Sequence, residues 1–124
     1  MNNELFSNVN VLNKSLDANW LRNQVISENI ANVDTPGYKR KKVEFESMLN
    51  QALMSGKKIE EMDFASLTPK VTIDKQNLQY RMDGNNVDID TEMVDLTKNQ
   101  LRYNTLIDQV KHDFSRVKMV ISSR

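Results

Sequence analysis

The sequence predicts a mainly α protein in which two long terminal helices pack as an α-helical coiled coil, with a short helix and a small β-hairpin between them. Three observations lead to this prediction. Apolar residues recur every three or four positions near both ends, and they alternate with polar residues in one middle stretch. They also total only 39% of the 124 residues. A compact globule is usually about 45–50% apolar, so this small supply predicts surfaces that other molecules cover.

The first predicted helix spans residues 1–33 and carries one apolar stripe. The members of the stripe are spaced by four, three, four and four positions, which is the helical period. They are Leu5, Val9, Leu12, Leu16 and Trp20. Asn residues, Asn19 among them, are predicted on the other faces, and Asn forms helices poorly, so this helix needs a packing partner. The partner is either the core of the same chain or another chain, and the pattern leaves both open.

A cluster of helix-breaking residues follows, from Asp34 to Tyr38. Pro36 disfavours helical geometry at the residue before it. A Pro-Gly pair also suits a type II turn, in which Gly37 would adopt a positive φ. We therefore expect the first helix to end near Asn32 and the chain to turn sharply after it.

The middle segment, residues 34–88, begins with this turn and should continue into a short helix. Apolar positions from Phe45 to Leu53 have helical spacing, and Gly56 is placed to close that helix. The basic run at residues 39–42 is predicted to be a solvated loop, because the aromatic or glycine neighbours expected of a phosphate-binding site are scarce around it.

The rest of the middle segment is predicted to hold a loop and a hairpin. Residues 57–68 show no period and are assigned to the loop. Apolar and polar residues then alternate at 71–73 and at 78–82, which predicts two strands joined by a turn at residues 74–77.

The C-terminal helix is predicted over residues 89–124 and has the most regular pattern in the chain. Its apolar positions step by alternating fours and threes, which is the pattern of a coiled-coil seam, with Gln100 as the one polar member. The seam consists of Ile89, Met93, Leu96, Gln100, Tyr103, Ile107, Val110, Phe114, Val117 and Ile121. Asp88 or Asp90 is expected to cap the start of the helix.

The composition argues against catalysis, cofactors and metal sites. There is no Cys, and the single histidine, His112, lies between charged neighbours and is predicted to be a surface residue. A calcium loop counted from Asp83 fails, because Asp88 occupies the glycine position and Val94 the terminal glutamate position. Seventeen basic residues balance seventeen acidic ones, which excludes the strongly basic surface of a dedicated nucleic-acid binder. We therefore predict no enzyme, no cofactor and no nucleic-acid partner.

Membrane insertion and a cleaved secretion signal are not expected either. The longest apolar runs are only a few residues, which is too short to span a bilayer. Residues 1–4 lack the basic region and apolar stretch of a cleavable signal peptide.

Two segments resemble the bacterial flagellar axial proteins, a family of rod, hook and hook-associated proteins. The first, Ser27 to Lys39, contains Asn-Ile-Ala-Asn and, after two residues, Thr-Pro-Gly-Tyr. The second runs from Gly84 to Met93 and continues at residues 99–104. The short chain leaves no room for large inserted domains, so it most resembles one of the proximal rod proteins of the basal body, with a sister proximal rod protein as the alternative. The signature positions at the turn are Asn29, Ala31, Asn32, Thr35, Pro36, Gly37 and Tyr38.

The resemblance implies a structural protein of bacterial motility. Such a subunit assembles with copies of itself and with other rod proteins into a helical tube that transmits torque and encloses the export channel. The resemblance also implies contact with the rod-to-MS-ring junction protein and with the flagellar export apparatus. The expected location is the periplasmic rod of the basal body, reached by type III export without a cleaved signal peptide.

The residues of interest would then form an assembly interface. On the first helix these are Leu5, Val9, Leu12 and Leu16; on the last they are Met93, Leu96, Tyr103, Ile107, Val110, Phe114 and Val117. Phe45 and Leu49 resemble the Phe-x-x-x-hydrophobic segment that the export gate recognises in early flagellar substrates. An ordinary packed pair four residues apart is the alternative interpretation of these two residues.

A cytoplasmic coiled-coil adaptor or secretion chaperone is the alternative function from a different class. It would account for the two periodic helices but gives no reason for the block at residues 32–38.

Overall fold

The computed structural model describes residues 2–56, 58, 61–75 and 81–122, with side chains described from Phe6 onward. In chain order the elements are helix α1 (Asn2–Ala31), strand β1 (Lys41–Glu44), helix α2 (Glu46–Met54), a 3-10 turn (Phe64–Ser66), strand β2 (Lys70–Ile73) and helix α3 (Ile89–Ser122). The predicted fold class is confirmed: the chain is mainly helical, α1 packs along α3, and a two-stranded antiparallel sheet lies between them in sequence.

The helix ends follow the signals in the sequence. α1 ends at Ala31, just before the predicted stop. Of the two candidate caps for α3, Asp88 is the one used: its carboxylate accepts a hydrogen bond from the backbone N–H of Asp90 at 3.0 Å. At 34 residues, α3 is about 50 Å long. None of the helices in the described part of the chain combines the length and apolar character needed to cross a bilayer.

The two-stranded sheet pairs segments that are far apart in the chain. β1 runs antiparallel to β2, with Lys41 opposite Ile73 and Glu44 opposite Lys70. The prediction that residues 39–42 form a solvated loop is therefore wrong, because Lys41 and Lys42 belong to a strand and are half-buried. The predicted pairing of residues 71–73 with 78–82 is not seen in the described residues, and most of the second stretch lies outside them.

The main hydrophobic core is small and lies where α2 packs on α1. Its buried members are Ala18, Phe45, Met62 and Leu67, with Met48, Leu49, Ala52 and Phe64 packed around them. Met62 and Leu67 come from the stretch predicted as loop, where a 3-10 turn capped by the Asp63 carboxylate brings Leu67 inward. This stretch has no regular period because single side chains, rather than a helix face, fill the space beside α2.

The buried side chains of α3 are polar, namely Glu92, Asn99 and Asp113. Those of α1 include the polar Ser7, Asn19 and Asn29 beside the apolar Ala18, Val25 and Ile26. The Asn19 amide donates to the Asn99 carbonyl at 3.2 Å, and the Asn99 amide donates back to the Asn19 carbonyl at 3.0 Å. The prediction that Asn19 lies on an outer face is therefore wrong. Trp20, placed on the packing stripe by its spacing, is 62% exposed instead.

Candidate functional site

The two sequence blocks that resemble one family meet in space. The end of α1, the turn after it and Arg40, residues 27–40, contact the segment that leads into α3, residues 83–92, through hydrogen bonds and an ion-pair cluster. Because every bond crosses between segments far apart in sequence, this region sets how α1, the sheet and α3 are joined. We call it the junction, and its central side chains are Asn29, Arg40, Asn85 and Glu92.

The turn after α1 has the predicted type II geometry. The backbone N–H of Tyr38 donates to the Thr35 carbonyl at 3.2 Å, and Gly37 has a φ of +73°. The N–H of Gly37 donates to the Asp83 carbonyl at 2.8 Å, so the turn is bonded to the second block. A Cβ added at Gly37 would meet no atom within 4 Å, so glycine is required there for its backbone angle and not for space.

Asn85 ties the turn to α3 from the other side. Its side chain is completely buried. The Nδ2 group donates to the carbonyls of Asn32, Val33 and Thr35 at 2.8, 3.0 and 2.9 Å. Its Oδ1 accepts from the N–H of Val87 at 2.8 Å. One amide therefore satisfies carbonyls that the end of α1 leaves without helical partners.

Arg40 is surrounded by three carboxylates. Its guanidinium donates to Glu92, which is fully buried, to Asp74 at 2.9 Å and to Asp95 at 3.1 Å. Burial works against the charged guanidinium, but the hydrogen bonds and charges of Glu92 and Asp74 outweigh it and raise the pKa of Arg40 above its ordinary value. Since the three carboxylates come from α3 and from the residue after β2, Arg40 links the sheet to the helix.

Asn29 completes the junction from the last turn of α1. Its Nδ2 donates to the Lys41 carbonyl at 2.8 Å and to Glu92 at 3.2 Å. Its Oδ1 accepts from the Lys41 N–H at 3.0 Å and from the Tyr38 hydroxyl at 3.1 Å. Burial raises the pKa of the Tyr38 hydroxyl, which keeps it a neutral donor. The Asn29 side chain therefore bonds to both backbone groups of Lys41 in β1, as a neighbouring strand would, at the point where the helix ends.

The other predicted turn residues lie at the surface of the junction. Ala31, Thr35 and Pro36 are exposed, and Asn32 is half-buried, with its amide bonded to the Glu28 carbonyl at 2.8 Å. The Thr35 hydroxyl donates to the Asn32 side chain at 3.0 Å. These residues shape the turn and face outward, where a neighbouring molecule can reach them.

The predicted interface residues divide by exposure. On α3, Met93, Tyr103 and Phe114 are exposed, Phe114 to 56%. The half-buried members on α1 and α3 are Val9, Leu12, Leu16, Leu96, Ile107, Val110 and Val117. The side chain of Leu5 lies outside the described residues. The buried positions of α3 are polar residues that lie beside the apolar seam. The seam is therefore rotated about the helix axis, so that part of it faces away from α1.

Phe45 and Leu49 occupy the small core. Phe45 is buried and Leu49 is packed against the same cluster. The packed-pair interpretation of these residues therefore holds in the folded chain, while recognition of the unfolded segment during export stays a prediction.

The chemistry of the junction is structural. Its polar groups are bonded to one another, and no group of three His, Cys, Asp or Glu side chains in the described ranges is arranged to hold a metal ion. The roles of Arg40, Asn85 and Glu92 cannot be obtained from periodicity, since Arg40 stands in a charge run and Glu92 at a helix start where an acid is ordinary. For Asn85 and Glu92 the available signal was that their block resembles the family; Arg40 lies one residue beyond the first block.

Comparison with known proteins gives one consistent result. A family model described as "Flagella basal body rod protein" matches residues 16–39. The chain is 35% identical to flagellar basal body rod protein FlgB of Bacillus subtilis over 116 residues, covering 90% of each chain. It is 35% identical to FlgB of Borrelia hermsii over 128 residues, covering 91% of this chain and 94% of that one. It is 28% identical to FlgB of Escherichia coli over 123 residues, covering 89% of each.

Proposed function

Since the chain belongs to the flagellar basal body rod protein family, and within it to the FlgB relatives, we propose that it is a structural subunit of the proximal rod of a bacterial flagellum. The family is a structural one, so the prediction that the chain is not an enzyme is confirmed. Membership implies a flagellar location and assembly with other rod proteins. The subunit would build, with them, a helical tube that transmits torque and encloses the export channel.

The observation that best supports an assembling subunit is the exposed apolar surface of α3. Met93, Tyr103 and Phe114 stand exposed on a helix whose buried contacts with α1 are polar. Exposed apolar surface on this scale marks a protein contact. A tube built by repeating heterologous contacts would cover it without closing into a small ring.

The specific partners are part of the proposal. We expect lateral and axial contacts with copies of this chain and with other rod proteins through the predicted interface residues of α1 and α3. Contact with the rod-to-MS-ring junction protein and passage through the flagellar export apparatus would place the subunit in the periplasmic rod.

Fractionation tests the proposed location. An epitope-tagged chain, expressed at the native level, should co-purify with basal bodies after detergent extraction of cells. A soluble reporter such as maltose-binding protein, carrying the same tag, is the control for protein that is trapped non-specifically in the basal-body fraction. Recovery of the chain only in the cytoplasmic fraction would contradict the proposal and favour an adaptor or secretion chaperone.

Secretion of a core variant tests the export segment. The double variant Phe45→Ala/Leu49→Ala should be secreted several-fold less than the wild type, because the unfolded chain then lacks the hydrophobic segment proposed for the export gate. Each truncation also removes core packing and destabilises the fold by about 2–5 kcal/mol. The matched control is Met62→Ala/Leu67→Ala, which damages the same core outside the segment. Equal secretion of the two double variants excludes the export role and leaves packing alone.

A further inference from the structure

A trough runs along one side of the helix pair, between α3 and the region where α2 and β1 lie against α1. Its apolar half has a volume of about 470 Å³ and includes Phe45, Leu49, Leu101 and Leu106. Its basic half has a volume of about 210 Å³ and includes Lys42 and Lys98. The two halves join at Arg22 and Arg102, which line both.

The rim of the trough has positive charge available for a partner. Arg22 forms an ion pair with Glu46, with 2.6 Å between the guanidinium nitrogen and the carboxylate oxygen. Burial pushes the pKa of Glu46 up, but the hydrogen bond from Arg22 outweighs it and the pKa is lowered. Arg102 reaches Glu46 only at 3.8 Å and is half-exposed. Lys42 and Lys98 make no ion pair within 4.0 Å of their amines to any described residue.

The floor beside this charge is apolar and open. Leu101 is 63% exposed, although Leu49 and Leu106 on either side of it are half-buried. A trough with an apolar floor and a cationic rim fits a segment that carries apolar side chains next to a carboxylate.

The first turns of α3 carry that combination. Ile89, Met93 and Val94 are exposed large apolar residues, and Asp90 is an exposed acid among them. Asp90 makes no ion pair with any described residue. On α3, Asp90 precedes Val94 by four residues. In the trough, Lys98 precedes Leu101 by three residues and Arg102 by four.

We propose that the first turns of α3 of one copy dock into the trough of a second copy, with Asp90 facing Arg102 and Lys98, and with Met93 and Val94 covering Leu101. This inference rests on the proposed function and names one contact within the assembly. Repeated head to tail, this contact is heterologous and propagates from copy to copy. Asp90 and Arg102 are twelve residues apart on one helix, about 18 Å, so each copy can insert and receive at once.

Disulfide cross-linking tests the contact directly. The chain has no Cys, so two differently tagged copies, Asp90→Cys and Arg102→Cys, can be expressed together without background thiols. Within one copy these positions are too far apart to bridge. We expect a disulfide-linked dimer containing both tags in basal bodies. The control pair, Asp90→Cys with Lys118→Cys, uses another exposed cation of α3 and should give none.

Charge reversal provides the second measurement. Arg102→Asp should lower incorporation into basal bodies about threefold to fivefold in competition with the wild type, since it places like charges at the contact. Expressed as the sole copy, so that it contacts only itself, the swap Asp90→Arg/Arg102→Asp should restore the incorporation that Arg102→Asp loses when it is expressed alone, whereas Lys118→Asp should have no effect.

The outcomes separate this inference from the proposed function. If the wild type fractionates with basal bodies but Arg102→Cys links to a different rod protein or to an export component, the second copy is the wrong occupant and the rod function stands. Absence of both the mixed dimer and the charge-swap rescue also overturns the contact. If the wild type itself is absent from basal bodies, the rod function fails and this contact fails with it.

Discussion

Replacing Arg40 by Gln is expected to lower the free energy of unfolding by about 3–5 kcal/mol. The guanidinium is the cationic partner of Glu92, which is fully buried, and of Asp74, which is nearly so. Without it, the Glu92 carboxylate is left in the protein interior with only the Asn29 amide as a described hydrogen-bond donor. Urea unfolding of the purified chain, followed by circular dichroism, measures the loss.

A double substitution distinguishes this cause from general damage to the junction. Arg40→Gln/Glu92→Gln removes both charges and keeps the size of the Glu92 side chain, so the buried carboxylate no longer lacks its cation and the variant should recover about half or more of the loss. Lys118→Gln, an exposed cation elsewhere on α3, should change the free energy by no more than about 0.5 kcal/mol. If the double variant is as unstable as the sum of the two single variants, the ion pair is not what holds the junction.

Gly37→Val is expected to abolish or strongly reduce swimming while leaving synthesis and export nearly unchanged. The turn needs the positive φ of Gly37, and a β-branched residue there costs about 1–3 kcal/mol. Because the Gly37 N–H bonds to the Asp83 carbonyl, relaxing the turn also releases the segment that leads into α3. In the proposed export through the flagellar apparatus the chain would pass unfolded and would not need the turn. Soft-agar swimming and the amount of the chain in basal bodies, relative to total chain, measure the effect.

Gly56→Val is the matched control for the backbone strain. Gly56 has a φ of +79°, and a Cβ added there would meet no atom within 4 Å, as at Gly37, but Gly56 follows α2 and takes no part in the junction. The two variants should therefore be strained to a similar degree, and only Gly37→Val should impair assembly. Normal swimming of Gly37→Val cells would show that assembly does not need this turn geometry.

The parts of the fold that follow local rules could be predicted from the sequence. The two long helices have periodic patterns, α1 ends at Ala31 shortly before the Pro36-Gly37 turn, and Asp88 is an ordinary N-cap. Gly37 adopts the positive φ that its place after Pro36 demands. In each case the information lies within a few residues of the feature that it determines.

The parts that depend on distant pairing could not be predicted in the same way. Strand β1 has the sequence of a basic loop and becomes a strand because β2 pairs with it and Arg40 beside it meets three carboxylates. Asn19 has a low helix propensity, yet it is buried because Asn99 returns its hydrogen bond. The apolar period of α3 predicted the seam but not which way it faces. The positions of α3 that are buried hold polar side chains, and periodicity of apolar residues cannot reveal them.

We expect the exposed apolar side chains of α3 to be covered by neighbouring subunits in the rod. A cryo-EM map of purified basal bodies, at a resolution that shows side chains, tests it most directly. We predict a helical tube in which this chain occupies the proximal rod and in which Met93, Tyr103 and Phe114 contact adjacent subunits. A map in which the chain is present but these three side chains face solvent would contradict the claim.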